Sequence, residues 1–165
     1  MKLEFTREQE LVRQMVREFA ENEVKPMAAE IDKTEEFPMK NIKKLAEYGL
    51  CAIPFPKEYG GLGGDYISYV LAIEELAKKC ATTSIILSGQ VSLCGSLIEM
   101  FCSEEQKKKY LPELCSGRKL GAFALTEPNA GTDAAGQQTV AVKKGDKYVL
   151  NGQKIFITNG DRKSV

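Results

Sequence analysis

The apolar residues of this chain change their spacing once, near Lys119, and that change limits what each part can fold into. Upstream they recur every three or four residues, the period of an amphipathic helix. Downstream they fall into short uncharged runs broken by Gly145-Asp146 and Asn151-Gly152, the punctuation of strands and tight turns. The pattern predicts an α+β chain. An all-α helical bundle spans residues 1–119, and residues 120–165 form the first antiparallel strands of an incomplete β-barrel or sandwich.

The helices announce their own ends. Thr6 and Gln9 make a capping box, with Glu8 and Glu10 where the helix dipole favours negative charge. Leu11, Met15 and Phe19, flanked by Val12, Val16, Ala20 and Val24, predict a core-facing stripe, and Pro26 a kink before Ile31. A second helix is expected over Pro38–Tyr48, closed by Gly49. The Pro- and Gly-rich stretch 54–64 reads as a loop, and Asp65 as the cap of a third helix carrying Val70, Leu71, Ile73, Leu76 and Ala77. An uncharged helix follows, and a Ser103–Gln106 capping box opens a fifth that ends near Ser116-Gly117.

Beyond Lys119, Leu120–Thr126 reads as a buried strand. Thr139–Val142 and Tyr148–Leu150 read as a hairpin about Gly145-Asp146, and Asn151-Gly152 leads into a further strand, Lys154–Thr158. A few strands with an open edge are rarely stable alone, so the chain is expected to be a truncation.

Composition narrows the function. Lys plus Arg (23) equals Asp plus Glu (23), so no net field favours nucleic acid or an acidic membrane, and Lys107–Lys109 reads as a solvated helix face among glutamates. With no histidine and no C-x-x-C among the five cysteines, neither a zinc site nor a His-activated nucleophile is expected. Reduced, buried thiols in a cytoplasmic protein fit best. The one membrane candidate, Cys80–Ile98, reaches the spanning length of about 18 residues. Its many Ser, Thr and Gly residues and its Gln90 favour a helix buried in protein.

Two segments carry chemistry. Ala122–Asp133 (AFALTEPNAGTD) reads as a strand followed by a loop whose Asn129 and Gly131 can take positive φ and present amides to an anion, beside the hydroxyls of Thr126 and Thr132. In Asn151–Gly160 (NGQKIFITNG), Phe156 and Thr158 fall two residues apart on one side of the expected strand, a ring and a hydroxyl for a planar heterocycle. Taken singly, each is better read as ordinary structure, a polar turn between strands in the first and a core Phe with an outward Thr in the second.

Together, L-T-E-P-x-A-G-T-D and N-G-x-K-x-F-I-T-N-G resemble the acyl-CoA dehydrogenase family, and in wording its bacterial short-chain, butyryl-CoA-type members. The resemblance extends over the KEYGG loop, the EELAK helix and the E-x-Q-K-x-K-Y-L-P-x-L segment. It implies FAD, an acyl-CoA substrate, electron-transferring flavoprotein as oxidant, and a homo-oligomer when complete. It also implies that Phe123, Leu125, Thr126, Gly131, Thr132, Phe156, Ile157 and Thr158 contact the cofactor. Thr132 would touch acyl-CoA as well, and Phe156 stands where many members carry Trp.

The implied reaction is α,β-dehydrogenation, with a carboxylate taking the α-proton as the β-hydrogen leaves as hydride. The family's base is a C-terminal glutamate. None of Glu99, Glu104, Glu113 or Glu127 matches its motif, so no base is assigned and the chain alone is expected to be inactive. No Arg or Lys lies between Ala81 and Ile98, which disfavours an acyl chain ending in carboxylate. After Gly160 the sequence leaves the family pattern, as Asp161-Arg162-Lys163-Ser164-Val165. An acyl-CoA oxidase and a non-catalytic helical module are the alternatives. A P-loop is poorly supported: Gly131 and Gly136 have its glycine spacing, but Gln137 and Gln138 replace its Lys and Ser/Thr.

Overall fold

A computed structural model describes residues 4–161, so the divergent tail at 162–165 lies outside the described residues. Helix α1 (Arg7–Phe19) opens with the Thr6–Gln9 capping box and passes through a π-helical turn, Ala20–Val24, into α2 (Lys25–Thr34). Pro26, which lacks an N–H to donate, sits in the first turn of α2, and the π turn before it absorbs the interruption without a break. Helix α3 (Met39–Glu47) ends at Gly49, whose φ is +71°. Residues 50–64 form a loop with two short 3₁₀ turns around the buried Phe55.

Asp65 caps α4 (Tyr66–Ala77) by accepting from the Ser68 amide at 2.7 Å. The uncharged segment is a 21-residue helix built from α5 (Ala81–Ser88), a second π turn (Gly89–Gly95) and α6 (Ser96–Phe101). Helix α7 (Glu104–Cys115) starts at the Ser103–Gln106 capping box. The expected five helical rods are therefore present among the described residues. Helix α1 packs along α4, α4 along α5, α3 against α5 and α6 against α7.

Length and composition would let Ala81–Phe101 cross a membrane. Its polar side chains nevertheless have protein partners. Thr83 accepts from Asn41, Ser84 donates to the Ile73 carbonyl, Ser92 bonds the Tyr69 hydroxyl and Ser96 donates to the Val91 carbonyl. A helix that settles its hydroxyls against neighbouring helices is built into a protein core.

The core-facing stripe of α1 differs from expectation. Val16, Phe19, Ala20 and Val24 are buried, whereas Leu11 (56 % exposed) and Met15 face outward. A strict four-residue spacing gains about 40° per step on a helix of 3.6 residues per turn, so Met15 and Leu11 drift progressively off the face that Phe19 shares with Val16, Ala20 and Val24.

The β-part is smaller than expected. Strands β1 (Val140–Lys144) and β2 (Lys147–Asn151) form the predicted hairpin, antiparallel, with Val140 opposite Asn151 and Lys144 opposite Lys147. Every residue of both strands is exposed. Leu120–Thr126 and Lys154–Thr158 join no sheet among the described residues. Strand assignment needs a ladder, and the carbonyls of the first segment bond mostly to side chains instead.

Candidate cofactor site

Segment 120–126 leaves the helical unit at Leu120, which packs on the core, and becomes more exposed along its length. The Gly121 N–H donates to Gln90 Oε1 at 2.6 Å, and the Gly121 carbonyl accepts from Asn159 Nδ2 at 3.0 Å. The Leu125 carbonyl accepts from Gln137 Nε2 and Lys154 Nζ, at 3.0 and 2.8 Å. A backbone bond to the second segment, Ile155 N–H to the Thr126 carbonyl at 2.8 Å, draws the two family motifs together. The buried strand expected over Leu120–Thr126 is therefore an exposed-edged segment held by side chains, with Leu125 40 % exposed.

Glu127 opens a tight turn. Its N–H and carbonyl exchange bonds with Ala130 at 3.1 Å each, leaving Pro128-Asn129 at the tip, where Pro pre-sets the φ of a type I turn. Neither Asn129 nor Gly131 takes the expected positive φ. The left-handed residues are Phe156 (φ +57°) and Asn159 (φ +65°) instead. The side chain of Glu127 is 6 % exposed and accepts from the Gln138 and Thr139 amides and from Lys154 Nζ, at 2.7, 3.0 and 2.8 Å. These donors, Lys154 first, hold its carboxyl down to about 2. It is an ionised structural tie.

The expected site residues can now be placed. Phe123, Thr126, Ile157 and Thr158 are half-buried, and Gly131 and Thr132 are exposed. Phe156 departs most from expectation. Its left-handed backbone breaks the strand that was to put it beside Thr158, and its ring is 89 % exposed. The Thr158 methyl carbon lies 3.4 Å from where a Cβ on Gly89 would stand, so this segment rests on the second π turn. Two organising residues escaped the sequence reading, Gln90 and Asn159. The signal for Gln90 was present, since it is the sole amide side chain between Cys80 and Ile98.

Three observations test whether these residues suit FAD. An aromatic ring stands in solvent on strained backbone, an arrangement that gains from a flat partner. Gly131 has no atom within 4 Å of its Cβ position, which leaves room for close approach to the backbone. Asn159 Oδ1 is buried with no hydrogen-bond partner among the described residues, an acceptor in want of a donor. The donor set is polar, uncharged and aromatic, and it fits.

A helical unit leading into a turn-rich segment with this pair of motifs defines an acyl-CoA dehydrogenase-like module. The family model for the acyl-CoA dehydrogenase N-terminal domain matches residues 6–118, and that for the middle domain matches 122–165. The chain belongs to the acyl-CoA dehydrogenase family.

Among its relatives, the short-chain specific acyl-CoA dehydrogenase of Clostridium acetobutylicum is 67 % identical over 97 % of this chain and 42 % of its own length. A chain in the structure described as the electron transferring flavoprotein of Acidaminococcus fermentans superposes with a TM-score of 0.94. It is 53 % identical, over 98 % of this chain and 43 % of that one. The acyl-CoA dehydrogenase of Bacillus anthracis, solved with FAD, has a TM-score of 0.88 at 38 % identity, over 94 % of this chain and 27 % of its own. This chain thus spans about 42 % of the curated relative it matches.

Proposed function

We propose that residues 1–119 supply a wall of the acyl pocket, and residues 120–165 the first cofactor-facing segments, of an FAD-dependent acyl-CoA dehydrogenase acting on short, neutral acyl chains. The observation that carries this reading is the junction at Ile155 and Thr126, where one 2.8 Å bond unites both family motifs beside an exposed ring.

In this reading Phe123, Leu125 and Thr126 meet the flavin through backbone groups and the Thr126 hydroxyl. Phe156 covers a face of the ring and keeps water from it. Ile157 and Thr158 line its reactive edge, Gly131 and Thr132 receive the pyrophosphate, and Thr132 also touches acyl-CoA. Bound FAD would supply acceptance of hydride from the substrate β-carbon. The uncharged wall Ala81–Ile98 offers no cation to a distal carboxylate, which favours an aliphatic tail.

The base that takes the α-proton comes from outside these residues. Glu127, the one carboxylate between Leu120 and Thr132, is held by three donors and has no lone proton-accepting role. Residues 1–165 by themselves bind FAD weakly and do not turn over. Electron-transferring flavoprotein as oxidant is supported by the Acidaminococcus structure. A homo-oligomer in the complete enzyme rests on the family resemblance, and a cytoplasmic setting on the five free thiols.

The test is flavin content and butyryl-CoA-dependent bleaching of flavin absorbance in the full-length gene product, beside residues 1–165 alone. Bound flavin that bleaches in the first and no turnover in the second is the expected result. A colourless full-length protein overturns the flavin assignment, and turnover by residues 1–165 overturns the external base. Peroxide formation under oxygen would make the enzyme an oxidase.

A further inference from the structure

Gly121 starts the cofactor-facing segment, and its residue is gripped at both ends. Its N–H is held by Gln90 Oε1 at 2.6 Å and its carbonyl by Asn159 Nδ2 at 3.0 Å. Gln90 is 1 % exposed and spends its own amide hydrogens on the Leu114 and Lys119 carbonyls, at 3.0 and 2.8 Å. One side chain thereby ties the end of α7, the link after it and the start of segment 121–126. Asn159, 7 % exposed, directly follows Thr158, whose methyl sits on Gly89, the neighbour of Gln90. A Cβ on Gly121 would fall 2.5 Å from Cys94 Sγ, so only glycine lets the segment seat here. Gly89, Gln90 and Cys94 all belong to the second π turn, a helical irregularity that recurs at functional sites.

We propose that Gln90 and Asn159 are positioning residues that, through Gly121, register both cofactor segments against the π turn of the acyl-pocket helix. The inference rests on the flavin reading above. Helix 81–101 forms one wall of the pocket, and the segments carrying Thr126 and Thr158 meet the flavin. A clamp at Gly121 then fixes the distance between the bound acyl chain and the flavin edge. The bonds of Gln90 and of Asn159 Nδ2 all run to the backbone of the protein, so through them these side chains act on geometry. Loss of Gln90 removes the bonds it makes to the Lys119 carbonyl and the Gly121 N–H and leaves the Leu114 carbonyl to the Gly117 N–H, and loss of the Asn159 donor removes the tie between Gly121 and the loop that carries Thr158.

The experiment uses the full-length gene product with Gln90→Met, which keeps the length and removes every bond, and Asn159→Asp, which keeps the size and removes the donor. Hydrogen exchange is read over residues 119–126 and over α4, without FAD. FAD affinity is read by fluorescence, and the visible band of the flavin is recorded at saturation. Each variant should speed exchange over 119–126 with α4 unchanged, and raise the FAD Kd about tenfold. Each should also shift the band of the bound flavin, which a uniformly weakened fold would not do. Should Gln90→Met not fold, Asn159→Asp and Asn159→Gly, which tolerates the left-handed backbone, decide the matter. Faster exchange with unchanged affinity and band reduces the clamp to a structural tie and overturns the proposal, as does unchanged exchange. A wild-type protein that binds no FAD overturns the flavin reading itself, whereas normal wild-type binding with unaltered variants overturns only the positioning roles.

Discussion

Glu127 illustrates how a single residue shapes the candidate site. A carboxylate inside the motif proposed to meet the flavin invites a catalytic role, but its two oxygens serve two backbone amides and an ammonium. The acceptors are matched to donors that only an ionised group satisfies. Glu127→Gln would present an amide donor to those N–H groups. Amide exchange at Gln138 and Thr139 is expected to accelerate about tenfold, with α4 unaffected. Unchanged exchange would mean that the tie is not what holds the turn to the hairpin.

At the scale of elements, the two π turns decide the paths of the long helices. The first lets α1 continue past Pro26, and the second brings Gly95 against the ring of Phe55. A Cβ at Gly95 would lie 2.4 Å from Phe55 Cζ, so Gly95→Ala must push the ring or the helix aside. Overpacking of this kind costs about 2 kcal/mol, measurable as a lower midpoint in denaturant. An unchanged midpoint would show that the loop around Phe55 yields freely. Helix ends were legible because a cap is a local event. Both capping boxes stand where the sequence sets them, and Asp65 bonds Ser68 as its position demands. The stripe of α1 was legible only in part, since which of two overlapping apolar faces turns inward depends on α4.

For the whole molecule, buried carboxylates link parts distant in sequence. Glu75, 2 % exposed, accepts from Arg17 and Arg13 of α1 and from Lys78, which hold its carboxyl down to about 2. A carboxyl depressed in the folded state binds fewer protons there than in the unfolded chain. Its stabilisation is complete above the ordinary carboxylate value of 4.5 and is lost as pH falls towards about 2. Glu127 acts in the same direction. The thermal midpoint should therefore hold steady down to about pH 5 and fall steeply below it. In Glu75→Gln that fall should be shallower, from a starting midpoint lowered by about 2 kcal/mol of stability. A variant that retains the full wild-type acid slope would remove Glu75 from this account.

The sequence by itself determined the five helical rods, their caps, the hairpin and the family, because these depend on residues a few positions apart or on long contiguous motifs. The Thr6–Gln9 box closes over three residues. Only the tertiary structure decided that Leu120–Thr126 and Lys154–Thr158 are side-chain-held segments, that Phe156 turns left-handed into solvent, and that Gln90 and Asn159 grip Gly121. Those bonds join residues 31 and 38 positions apart. At such separations the partner is chosen by how the helices pack, and no local pattern of polarity encodes it.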